Sequence, residues 1–184
     1  GTAPGTATPG SIIVNGGAMI GDGNDTPINS NRGVAIGTNG ATFGAPAGGI
    51  LRIYGVIADL PGEAGHLTAI GNGILVLSAA NTYSGGTIVP PGAQLVFQGN
   101  RAMGDGPIEL AGGLMRPAST ASSNTDVSNA IVVTANSSLS ANNSKHTTFL
   151  GPVTLANGDR TLTMSGSDSA TFVGPIGDGG LGYG

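Results

Sequence analysis

The chain has 184 residues, of which 35 are glycine and only 9% are charged, with no cysteine, no tryptophan and a formal charge of −4. A folded domain usually carries about 25% charged residues, and disorder combines low hydrophobicity with high net charge. A positive mean hydropathy with 39% apolar residues therefore excludes low-complexity disorder and points to an all-β fold with many tight turns.

The lack of cysteine excludes disulfide scaffolds, thiolate-held zinc and thiol catalysis, and it suits export through an oxidising compartment. A mild negative charge with one lysine, Lys145, leaves no footprint for nucleic acid. No apolar run approaches the ~18 residues of a membrane span, so this segment is not expected to be membrane-spanning. Its first residue is Gly1 rather than Met, which reads as a processed product or a fragment.

Residues 1–9, GTAPGTATP, read as a flexible or strand-donating segment, with Pro4 and Pro9 limiting it to an edge position. Residues 10–184 read as one domain. GSIIVNGGAMI from Gly10 opens a pattern of aliphatic residues two apart, followed by a Gly- or Asn-rich turn. Period two is the signature of a strand with one buried side. Next comes Gly21-Asp22-Gly23-Asn24-Asp25, which resembles one copy of a Gly-rich calcium loop. Asp22, Asn24 and Asp25 are thus a weak calcium candidate, set against an ordinary ion-free turn. Such loops share ions between tandem copies, and Gly104-Asp105-Gly106 and Gly177-Asp178-Gly179 show that the tripeptide recurs here as a turn.

The opening pattern returns as GVAIGTNGATF from Gly33, GTIVPPGAQLVF from Gly86, GPIELAGGLM from Gly106, NAIVVTANSSL from Asn129 and GPVTLANGDRTL from Gly151. Ile12, Val34, Ile53, Leu75, Ile108, Ile131, Val153 and Ile176 read as aliphatic anchors at intervals of roughly 20 residues. A unit of that size cannot bury its own apolar side, whereas stacked units form a continuous core. The expected fold is all-β, a right-handed parallel β-helix (β-solenoid). Ile88, Leu95, Ile108, Leu110, Ile131, Val133, Val153, Leu155 and Leu162 are expected to point inward. Corners such as Asn15-Gly16-Gly17 and Asn157-Gly158 would take left-handed backbone. The competing fold is an antiparallel sandwich, which also has short, regularly spaced strands.

Residues 70–101 read IGNGILVLSAANTYSGGTIVPPGAQLVFQGNR. This resembles the autotransporter-associated β-strand repeat, also called the passenger-associated transport repeat, through Gly71, Gly73, Leu75, Leu77, Ser78, Asn81, Thr82, Tyr83, Ser84, Gly85, Gly86, Thr87, Val89, Gly92 and Leu95. Looser likeness runs from Gly33 to Leu60 and again from Ser128 to Leu181, so that the resemblance covers roughly Gly33 to Tyr183. The resemblance implies a secreted or outer-membrane-anchored bacterial passenger whose repeats assist folding during export, with no catalytic residues to carry over. In Asn81, Thr82, Tyr83, Ser84, Gly85, Gly86 and Thr87 we expect a structural corner: Asn81 closing an Asx-turn, the Ser-Gly-Gly run turning the chain, and Tyr83 lying against a neighbouring turn with its hydroxyl in water.

No catalytic, cofactor or metal site is otherwise expected. His66 and His146 are too far apart along the chain for a shared metal, and coincidence among serines and aspartates is cheap evidence for a triad. Parallel β-helices can act on polysaccharides, and lateral acid pairs such as Asp105 near Asp126 are the candidates for such chemistry, but there is no tryptophan platform. The expected function is a non-catalytic stalk or adhesin segment at the bacterial surface. Its partners would be neighbouring repeats of the same protein or further copies of itself, and outside the cell a host or matrix surface. The alternatives are an extracellular filament subunit that stacks head to tail and, more remotely, a polysaccharide-active enzyme.

Overall fold

The computed structural model describes residues 2–119, 124–141, 146–166, 169–180 and 182. Gly1, Lys145, Leu181 and Tyr183, named above, lie outside the described residues. The described chain is all-β, without a helix, and its parallel strands stack as a β-solenoid of about 7 turns.

The first turn holds β1 (Thr8–Val14), β2 (Gly17–Ile20) and β3 (Asp25–Ile28). The second holds β4 (Arg32–Ile36), β5 (Ala41–Gly44) and β6 (Ile50–Ile53), and the third holds β7 (Ile57–Asp59), β8 (Leu67–Ile70) and β9 (Ile74–Leu77). The fourth and fifth turns carry two strands each: β10 (Thr87–Val89) with β11 (Gln94–Phe97), and β12 (Ile108–Ala111) with β13 (Leu114–Pro117). Three-stranded turns resume with β14 (Thr125–Val127), β15 (Ile131–Ala135) and β16 (Ser137–Ser140), then β17 (Thr147–Phe149), β18 (Val153–Leu155) and β19 (Leu162–Ser165). The last strands are β20 (Ala170–Phe172) and β21 (Ile176–Gly177).

Two faces are continuous along the axis. One is an eight-stranded sheet, β2-β5-β8-β10-β12-β15-β18-β21, and the other a seven-stranded sheet, β3-β6-β9-β11-β13-β16-β19. The third face is broken into β1-β4-β7 and β14-β17-β20. The gap between them coincides with the segment that resembles the passenger repeat.

Side chains stack in register inside. Ile108, Ile131 and Val153 pair in sequence along the eight-stranded sheet, as do Leu110, Val133 and Leu155. Leu51, Leu75, Leu95 and Met115 do the same on the opposite sheet. All of these are buried except Leu155, which is half-buried and packs on the core with Leu162. Phe149 stacks on Phe172 of the next turn, with ring centroids 4.8 Å apart.

Two expectations need correction. Ile88 points outward, because in β10 the inward positions are Thr87 and Val89. Ile53 and Leu75 are not equivalents of Ile12 and Val34: Ile12 and Val34 pair on the third face, where the next partner of Val34 is Ile57, while Ile53 pairs with Leu77. The N-terminal segment runs into the edge strand of the first turn. Thr8 begins β1, its amide donates to Asn31 O, and the carbonyls of Pro4 and Thr2 accept from Asn31 Nδ2 and Arg32 Nη2.

The corners follow the local chemistry of glycine and asparagine. Gly16, Asn157 and Gly158 all have positive φ. Asparagine side chains also link consecutive turns: Asn15 Oδ1 accepts from Asn39 N, Asn100 Oδ1 from Asp126 N and Asn136 Oδ1 from Thr161 N.

Candidate functional site

The NTYSGGT segment crosses the broken face, and each of its residues has a defined place. Where a strand would present a ladder, side chains do the bonding. Asn81 is 1% exposed; its Oδ1 accepts from Ile57 N of the preceding turn at 2.8 Å, and its Nδ2 donates to Ala102 O of the following turn at 2.5 Å. The backbone adds Thr82 N to Ile57 O and Asn81 N to Arg101 O. One amide side chain therefore satisfies a donor and an acceptor on two neighbouring turns. The Asx-turn expected at Asn81 is replaced by this bridge between turns.

Tyr83 fills the core beneath the gap. It is fully buried, and its hydroxyl lies 2.6 Å from Thr87 Oγ1. Thr87 Oγ1 also donates to Met103 O at 3.2 Å. The hydroxyl is thus not in water, contrary to the expectation: the missing strand leaves room for a whole phenol, and Thr87 supplies the polar partner its inner end needs. Burial raises the phenol above its ordinary pKa, with the Thr87 hydrogen bond acting weakly in the opposite direction. Gly104 covers the ring; a Cβ there would come within 2.5 Å of Tyr83 O and 3.0 Å of the ring carbons.

Ser84 faces outward and binds Asp59 of the preceding turn, with Oγ donating to Oδ2 at 2.7 Å and the amide donating to both carboxylate oxygens at 3.1 Å. Asp59 Oδ1 also accepts from Gly65 N at 2.7 Å. Gly85 lies against the Gly65 backbone so closely that a Cβ would meet it at 2.7 Å, and Gly86 has φ +95°. Apart from Thr87, sequence spacing reveals none of the partners of Asn81, Tyr83 and Ser84, because they come from neighbouring turns. A second buried bridge, Asn129 Nδ2 to Gly104 O and Gly106 O at 3.0 and 2.6 Å, also went unread.

Beside the motif, the outer face of the eight-stranded sheet forms an open groove of about 360 Å³ lined by His66, Ile88, Pro107, Glu109, Val132 and Thr134, among others. Glu109 Oε1 accepts from Thr134 Oγ1 at 2.8 Å. His146 lies elsewhere, on the seventh turn, with Nδ1 2.8 Å from Ser169 Oγ.

Asp22, Asn24 and Asp25 close a local turn. Asp22 Oδ1 accepts from Asn24 N at 3.0 Å and from Thr26 Oγ1 at 2.9 Å. These bonds, that from the Asn24 amide first, hold the Asp22 carboxyl below its ordinary pKa. Asp25 is instead paired with Arg52 Nε at 2.8 Å. The two carboxylates are engaged separately, and among the described residues no group of three or more His, Cys, Asp or Glu side chains is arranged to hold a metal ion. Asp105 is paired with Arg101 at 2.7 Å, and Asp126 is fixed through its backbone amide to Asn100.

Comparison with protein-family models, curated proteins and solved structures finds no match to this chain.

Proposed function

We propose that this chain is a non-catalytic structural segment of a bacterial extracellular or surface β-solenoid protein, a stalk or adhesin of the autotransporter-passenger kind. The observation that carries the reading is the use made of NTYSGGT. Asn81, Tyr83, Ser84 and Thr87, the side chains that a binding site would present, are committed to bonds within or between successive turns. The segment that most resembles the passenger repeat therefore stiffens the rod where its third sheet is interrupted, and a rigid rod is what a stalk requires.

The test is to raise antibodies to this chain and probe intact cells of the source bacterium, with and without protease treatment of their surface. Surface labelling removed by protease is the expected result. A cytosolic location would overturn the proposal, as would cleavage of pectins, alginates or glucans that is lost on substituting one acid.

The filament reading shares the fold and differs in what covers the last turn. Ile176 continues the stack of Ile131 and Val153 yet is 56% exposed. Further repeats of the same polypeptide would cover it in a stalk, and a second copy would cover it in a filament. Electron microscopy and light scattering at increasing concentration separate the two, growth into fibres favouring the filament.

A further inference from the structure

The sequence contains four Asn-Gly pairs: Asn15-Gly16, Asn39-Gly40, Asn72-Gly73 and Asn157-Gly158. Such pairs are chemically labile because glycine leaves its own amide unshielded, so that this nitrogen can attack the preceding side-chain amide. All four asparagines are exposed, and exposure therefore does not distinguish them. The glycine amides do. Gly16 N donates to Gly40 O at 2.6 Å, Gly40 N to Gly37 O at 2.8 Å and Gly73 N to Ala45 O at 3.0 Å. Gly158 N has no hydrogen-bond partner among the described residues, and a Cβ built at Gly158 would find only Arg160 Nη1, at 4.0 Å.

The turn supplies a second feature. Arg160 folds back over it: Nε donates to Ala156 O at 3.0 Å, Nη1 to Asp159 O at 3.0 Å and Nη2 to Asn157 O. The Asn157 carbonyl and the Gly158 N–H belong to one peptide unit. When that N–H loses its proton, the negative charge is shared with the carbonyl oxygen, where the guanidinium already donates. A charge-assisted bond to the ionised form favours ionisation, so Arg160 stabilises the nucleophile.

From these two observations we infer that Asn157 is a modification site, at which this chain spontaneously deamidates while folded. The deprotonated Gly158 nitrogen bonds to Asn157 Cγ, the Cγ–Nδ2 bond breaks, and Nδ2 leaves as ammonia after taking up a proton. Water then opens the resulting succinimide at one or other carbonyl, giving an aspartyl or isoaspartyl linkage at position 157. The net change is water in and ammonia out, and it places a new negative charge beside Asp159 and Arg160. At the other three pairs, attack requires first breaking a backbone hydrogen bond within or between turns.

The test is peptide mapping after incubating the folded 184-residue chain in mildly alkaline buffer. Cleavage after Arg and Lys puts the four pairs in four different peptides, 1–32, 33–52, 53–101 and 146–160. Position 157 should convert about tenfold faster than the other three, the factor that one lost hydrogen bond would impose. In strong urea the four rates should converge. Arg160→Gln should slow position 157 severalfold in the folded chain and leave its rate in urea unchanged, with the thermal transition of the variant verifying its fold. Equal rates in the folded chain would overturn the inference. So would a lead for position 157 that persists in urea, or an Arg160→Gln variant that converts as fast as the parent.

Discussion

The Tyr83 hydroxyl and Thr87 Oγ1 lie 2.6 Å apart, with neither residue more than 1% exposed. Thr87 occupies a core position that Leu67 fills in the turn before and Ile108 in the turn after. A polar residue is tolerated there because its hydroxyl is shared between Tyr83 and Met103 O. Tyr83→Phe leaves Thr87 its bond to Met103 and should cost about 1 kcal/mol. Thr87→Val leaves both the phenol and the Met103 carbonyl unpaired and should cost roughly 2–4 kcal/mol. Urea unfolding midpoints of the two variants should fall in that order.

The same burial predicts an alkaline response. The phenol of Tyr83 is raised above its ordinary pKa in the fold and returns to about 10 on unfolding. Between those values the folded state binds more protons than the unfolded state, so stability is intact below about pH 10 and declines as pH rises beyond it. Absorbance titration should show equal phenolate formation in the parent chain and in Tyr83→Phe up to about pH 11, because Tyr83 does not ionise there. A deficit in the variant would show that Tyr83 is reached by solvent.

Asn81 bridges Ile57 N and Ala102 O from within the core. Asn81→Leu removes both partners at once and leaves a donor and an acceptor buried without bonds. The loss should be roughly 3–5 kcal/mol, well beyond an ordinary surface substitution. Amide hydrogen exchange at Ile57 should accelerate more than at Ile131, which lies on an unbroken sheet.

Asp22 offers a test of the candidate calcium loop. With its folded pKa held below 3.8 by Asn24 N and Thr26 Oγ1, any contribution it makes to stability is present above that value and is lost as pH falls through the folded pKa. Its carboxyl resonance should titrate below 3.8. Added calcium should leave this midpoint unchanged if the turn is closed by its own bonds, and should lower it further if the carboxylate holds an ion.

The parts of the fold legible in the sequence were those whose signal is local. Ile108, Ile131 and Val153 each follow a Gly-Pro or Asn-Ala pair and begin a strand with clear alternation, and they do stack. Ile53 and Leu75 misled because their separation also matches one turn, although their true partners are Leu77 and Leu95. Turn length varies, from 20 residues between Leu67 and Thr87 to 26 between Ala41 and Leu67, so spacing alone does not identify a face. The motif residues were recognisable as a unit, but Ile57, Ala102 and Met103 carry no mark of being their partners. The alternation points Ile88 inward because threonine is an improbable core residue without the phenol that satisfies Thr87.

That register can be tested directly with matched substitutions at Leu110 and Ile88. Leu110 is completely buried, while Ile88 is half-buried on the groove and pairs laterally with Glu109. Asparagine is the suitable replacement at both positions, since an added carboxylate at Ile88 would face Glu109 and confuse repulsion with burial. Leu110→Asn removes a packed side chain and buries an amide without partners, which should cost about 3 kcal/mol or more. Ile88→Asn keeps its amide in contact with water and loses only part of an apolar contact, so the cost should stay within about 1 kcal/mol. Both follow from unfolding midpoints in urea, with unchanged slopes showing that the same structure is lost. Equal destabilisation by the two would mean that β10 presents Ile88 rather than Thr87 to the core. The Tyr83–Thr87 bond would fail with that register.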